Sequence, residues 1–151
     1  MSWVTKTLSS TIGRKLIMAL TGLFLILFLT GHVAGNLQLF NGDGGEAFNI
    51  YAKFMTTNPA VKILSYVTYI SILGHVIFSI WLSWSNKTAR PIGYGESTPP
   101  STTFSSRNMG ILGTVILIFI VIHMQTFWYQ MHWGDVPFVT YGDEQYKDLF
   151  S

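Results

Sequence analysis

No cysteine occurs in the 151 residues. Disulfides, thiolate-held iron–sulfur clusters and the C-x-x-C-H attachment of c-type haem are therefore excluded. Charge is scarce too. Asp, Glu, Lys and Arg make up 11% of the chain, against roughly 25% in an average soluble domain. A net charge of +2 with no run of basic residues argues against a nucleic-acid partner. There is no phosphate-binding glycine loop and no nucleophilic triad. The one internal repeat is a G-x9-H spacing, from Gly22 to His32 and from Gly113 to His123.

What the chain has instead is hydrophobic length. Apolar residues make up 49% of it, gathered into three blocks that each approach the about 20 residues needed to cross a bilayer. The pattern predicts an all-α integral membrane protein, a single membrane domain over residues 1–151. Its spans are expected at about 15–39, 61–84 and 109–131. The first block follows Lys6, Arg14 and Lys15 and runs from Leu16 to Val33. A secretory signal has an apolar region of only about 7–15 residues, so an uncleaved first membrane helix is expected.

The loops set the orientation. Lys6, Arg14 and Lys15 precede the first helix, and Lys87, Arg90 and Arg107 lie between the second and third. The segment between the first two is balanced (Asp43 and Glu46 against Lys53 and Lys62), and the tail is acidic, with Asp135, Asp143, Glu144 and Asp148. Basic loops stay cytoplasmic, which puts the N-terminus inside.

Each of the three apolar helices carries one histidine: His32, His75 and His123. An ionisable side chain inside a span is rare unless a cofactor, ion path or partner holds it there. The helical rise sets His32 about 25 Å above the inner end of the first helix, counted from Lys15. His123 stands about 21 Å above Met109, and His75 only about 14 Å from the inner face, counted back from Trp84. Two opposed imidazoles at one depth are what a bis-histidine haem iron requires. His32 and His123 satisfy that requirement as an outer pair, and His75 lies deeper toward the cytoplasm. Each of these residues could singly be a hydrogen-bonded packing histidine; one in every span points to haem.

The neighbours fit a flat macrocycle. Gly31 precedes His32, Gly74 precedes His75, and Gly35 follows nearly a turn after His32. Gly31 and Gly35 also spell the small-xxx-small pattern of plain helix packing. Thr68, Ser71, His75 and Ser79 share one stripe, and Ser71 or a backbone carbonyl is expected to receive the second N–H of His75. Thr126 and Gln130 extend a polar stripe beyond His123. His132, among Trp128, Tyr129 and Trp133, reads as a residue of the interfacial aromatic belt.

The loops say less. Residues 41–59 predict a turn and then a short amphipathic helix with Phe48, Tyr51, Ala52 and Met55 on one side. Asp43 and Glu46 are either solvated acids or proton donors to a bound quinone. The loop NKTARPIGYGESTPPSTTFSSRN is a candidate docking surface for a cytoplasmic partner. Arg90 and Arg107 either face a haem propionate or simply obey the positive-inside bias.

SSTIGRKLIMALTGLFLILFLTGHVAGNLQLF, GGEAFNIYAKFMTTNP, ARPIGY and SRNMGILGTVILIFIVIHMQTFWYQMHWG resemble the di-haem cytochrome b membrane-anchor subunit of succinate dehydrogenase and fumarate reductase. The resemblance covers nearly the whole chain. It implies an electron-transfer subunit of a respiratory chain in a bacterial cytoplasmic membrane. A flavoprotein and an iron–sulfur subunit would sit on its cytoplasmic face, with menaquinone or another quinone as substrate. Dicarboxylate chemistry would belong to the partner. By matching positions, His32 and His123 would be the axial pair of the outer haem b, and His75 one ligand of the inner haem.

The resemblance also implies five helices, with the second inner ligand on a later one. This chain carries three spans, so the resemblance predicts that two C-terminal helices are missing and that the tail from Val136 to Ser151 begins the connection to a fourth. Two other readings remain open. One is a haem b anchor of another respiratory complex, of the formate dehydrogenase or hydrogenase type. The other is a haem-free membrane scaffold whose histidines relay protons.

Overall fold

The structure is a computed structural model, and it describes residues 2–89 and 103–151. Residues 90–102, which include Arg90 and most of the expected docking loop, lie outside that range. The described chain is mostly helical. It divides into two compact units, Met1–Leu82 with Pro137–Ser151, and Ser83–Val136.

The first unit opens with a short helix, α1 (Trp3–Ser9), that leads into the long α2 (Thr11–Asn36). Ser10 makes the turn. Its hydroxyl donates to the Thr7 carbonyl at 2.6 Å and accepts from the Gly13 amide at 3.0 Å, so it closes one helix and caps the next. Only glycine fits at 13, because a Cβ there would meet the Thr7 carbonyl oxygen and the Leu8 backbone. A 3₁₀ turn (Leu37–Phe40) ends α2 and leads to α3 (Glu46–Thr57). The Asp43 carboxylate accepts from the Gly45 and Ala47 amides, both at 3.0 Å, and so fastens the start of α3. The helix expected after the first span is therefore present, and Asp43 acts there as its cap. α4 (Pro59–Thr88) follows, with the Asn58 side chain accepting from the Ala60 amide at 2.9 Å.

In the second unit α5 (Phe104–Arg107) precedes α6 (Met109–His123). A π-helical segment (Met124–Tyr129) continues it into α7 (Gln130–Trp133). Three stretches are long and apolar enough to cross a membrane: Thr11–Phe40, Pro59–Thr88 and Met109–Trp133. Their ends overrun the apolar blocks because capping and polar residues extend each helix past its hydrophobic part.

The packing is inverted relative to a soluble domain. Among the described residues no apolar side chain is buried, while Asn49 and Thr68 are, at 1% and 2% exposure. Ile63, Ile70, Leu73, Ile77 and Ile80 line the outside of α4. Contiguous exposed apolar faces of that extent mark contact with membrane or another apolar partner.

The tail adds an element that the apolar pattern does not announce: residues after Val136 fold as a hairpin, β1 (Phe138–Tyr141) antiparallel to β2 (Glu144–Lys147). Its two-residue loop places Gly142 at φ +60° and Asp143 at negative φ, as a type II′ turn requires. The strands are rich in Phe, Val, Thr and Tyr, which suit a pleated surface.

Candidate functional site

α2 and α4 meet at two levels. The Arg14 guanidinium lies over the Trp81 ring, 4.2 Å from its centroid, and the Arg14 Nε is buried without a hydrogen-bond partner. One level along, His75 Nδ1 lies 2.9 Å from the Thr21 hydroxyl. Seven residues along α2 thus match six back along α4, so the helices are antiparallel where they touch.

His75 sits close against α2, where a Cβ on Gly22 would lie 3.4 Å from its Cε1, an ordinary contact distance. The partner of His75 Nδ1 is Thr21 of the facing helix, where Ser71 or a backbone carbonyl of α4 was expected. The other hydroxyls of the stripe bond their own helix: Thr68 donates to the Leu64 carbonyl at 2.9 Å and Ser79 to the Val76 carbonyl at 2.8 Å. That stripe is the less exposed side of α4, opposite Ile70, Leu73, Ile77 and Ile80. No sequence rule singles out Thr21, which looks like one of several span hydroxyls. Its one mark is its place beside Gly22, where the G-x9-H spacing begins.

His32 lies eleven residues beyond Thr21 on α2, about 16 Å along the helix. Within this unit the His32 and His75 rings therefore occupy separate levels. The Phe28 ring stacks on His32 at 5.5 Å and 22°, and the Asn36 amide donates to the His32 carbonyl at 2.7 Å. Just beyond, the Tyr51 ring of α3 packs against Gly35, where a Cβ would collide with it. One glycine of the Gly31–Gly35 pair is therefore taken up by packing of α3. The other faces open space: among the described residues, nothing lies within 4 Å of a Cβ built on Gly31, Gly74 or Gly113.

His123, in the second unit, repeats the local setting of His32. Phe119 stacks on it at 5.5 Å and 22°, and Phe127 tilts against it at 5.0 Å. The G-x9-H repeat thus contains a phenylalanine at the same offset in both helices, Phe28 and Phe119. The widened π turn starts directly after His123; such turns are frequent at functional sites. His132 Nδ1 pairs with the Trp128 carbonyl at 2.8 Å, and its ring lies against Trp128 and Trp133.

A second polar constellation joins α3 to the hairpin. The buried Asn49 amide donates to the Tyr141 hydroxyl at 3.1 Å and to Asp148 at 3.2 Å, and its carbonyl accepts from the Leu149 amide at 2.9 Å. Lys53 pairs with Glu144 at 2.8 Å and lies over the Tyr146 ring at 4.3 Å. These bonds hold Glu144 below and Lys53 above their ordinary pKa values, each chiefly through the hydrogen bond to the other. Tyr146, donating to Glu144, is raised, and Asp148 is lowered, first by the Asn49 bond. Nothing in this cluster suggests catalysis; it is a fastening.

Comparison with known families, characterised proteins and solved structures finds no match for the chain.

Proposed function

We propose that this chain is the cytochrome b membrane anchor of a succinate:quinone oxidoreductase in a bacterial cytoplasmic membrane. It would carry electrons between an iron–sulfur subunit and membrane quinone. The observation that carries the reading is a histidine within the apolar part of each membrane-length helix, His32, His75 and His123, with His75 beside a hydroxyl of the neighbouring helix. Metal-ligating imidazoles usually have such a partner on their second nitrogen.

The residues present fit haem b. Three imidazoles could supply nitrogens to a haem iron, and at Gly31 and Gly74, the residues before His32 and His75, nothing among the described residues lies within 4 Å of where a Cβ would stand. His32 and His123 would hold the outer haem, and His75 would be one ligand of the inner haem. When bound, haem b supplies a one-electron carrier whose potential depends on ligands, hydrogen bonds and burial. The chain's own share is to orient the rings through Phe28, Phe119, Phe127 and Thr21, and to keep water away with the apolar faces around them. Quinone and dicarboxylate would react at the edge of the anchor and in the flavoprotein partner. With the N-terminus inside, that partner and the iron–sulfur subunit would dock on the cytoplasmic face.

Gentle solubilisation of the native membrane, followed by capture of the chain, tests the assignment. The expected company is a subunit with covalently bound flavin and another with acid-labile sulfide. A molybdenum- or nickel-containing partner would instead assign the anchor to a formate dehydrogenase or hydrogenase type of complex.

A further inference from the structure

The Thr21 hydroxyl has one proton and three polar neighbours. Its oxygen lies 2.8 Å from the Ile17 carbonyl, 3.2 Å from the Met18 carbonyl and 2.9 Å from His75 Nδ1. Both carbonyls are acceptors only. If the hydroxyl gave its proton to Nδ1, its lone pairs would face two carbonyl oxygens at hydrogen-bonding distance with no proton between them. If the proton goes to the Ile17 carbonyl of its own helix, the oxygen accepts from a protonated Nδ1 and only the longer 3.2 Å contact to the Met18 carbonyl is without a proton of its own. The second arrangement is favoured, and it fixes the tautomer: Nδ1 carries the hydrogen and the Nε2 lone pair is left for a metal.

From this we infer that Thr21 is the positioning residue of the His75 axial ligand, holding its ring orientation and tautomer from the facing helix. The inference rests on the reading of His75 as a haem ligand. A hydrogen bond from Nδ1–H to an acceptor makes the imidazole more electron-donating, which stabilises ferric over ferrous iron. Removing it raises the midpoint potential of the haem bound by His75. Outer-shell partners of metal-bound histidines typically matter by about 10–100-fold. An effect of about tenfold that falls on the ferric form alone corresponds to 59 mV for a one-electron couple.

The test is a potentiometric titration of low-spin b haem absorbance in the complete complex, purified from its native membrane. Thr21→Val keeps the shape without the hydroxyl and is expected to raise one haem midpoint by about that amount. Thr21→Ser is expected to restore the wild-type value. Gly22→Ala, which adds a methyl group at ordinary contact distance from the same ring, is expected to leave it in place. If the valine variant does not accumulate, Thr21→Cys, with its weak acceptor, replaces it and should give a smaller upward shift. An unchanged midpoint in the valine variant overturns the role of Thr21. So does a serine variant shifted as far as valine, or an equal shift in Gly22→Ala. A wild-type complex without b haem overturns the ligand reading itself.

Discussion

Asn49 is the most enclosed side chain of the described residues, 1% exposed, and its side-chain amide bonds to Tyr141, Asp148 and Leu149 of the C-terminal segment. A polar group so placed is costly when its partners are lost. Asn49→Ala strands the Tyr141 hydroxyl, the Asp148 carboxylate and the Leu149 amide together. The expected cost to hairpin docking is about 2 kcal/mol, or roughly thirtyfold faster hydrogen exchange at the Leu149 amide. Exchange there at the wild-type rate would mean that the contact does not hold the tail. At the same scale, the three span histidines were legible because intramembrane ionisable groups are rare. Their neighbours were less so. Thr21 reaches His75 across a helix interface, and spacing along one helix cannot show that; Phe28 and Phe119, four residues before their histidines, were within reach of it.

The elements divide in the same way. The three apolar blocks announced helices through length alone, since a helix is the structure that satisfies every backbone group within one segment. α3 was legible from its amphipathic pattern. The hairpin was not read, although VPFVTYGDEQYK carries the signal: two β-prone runs around a Gly-Asp turn. How this element responds to pH follows from its ionisable groups. Asp148 and Glu144 titrate below their ordinary values in the folded state, so their contribution is full above about pH 4 and is lost as pH falls through the lowered values. Lys53 and Tyr146 titrate above their ordinary values. Their contribution is full below about pH 10 and is lost as pH rises through the raised values. Docking of the hairpin on α3 is therefore expected to be flat from roughly pH 5 to 9 and to loosen beyond both ends. Proteolysis of the tail as a function of pH checks this, and a midpoint near neutrality would contradict it.

For the whole molecule, the absence of any buried apolar side chain among the described residues matters as much as the helices themselves. Side chains that would form a core in a soluble domain face outward along all three membrane-length stretches. Orientation can be tested cleanly because the chain has no cysteine of its own. Single cysteines at Ser2 and Ser106 are expected to react with an impermeant maleimide only from the cytoplasmic side, and one at Asp135 only from the opposite side. The reverse pattern would place the basic segments outside and remove the cytoplasmic docking face.

The account's central claim is that the span histidines hold haem, and a haem count with a reduced-minus-oxidised spectrum of the detergent-purified native protein tests it most directly. Low-spin b haem should be present, with the same component lost in His32→Ala and in His123→Ala, and a different one perturbed in His75→Ala. A colourless wild-type protein would contradict the claim and leave a membrane scaffold whose histidines serve another purpose.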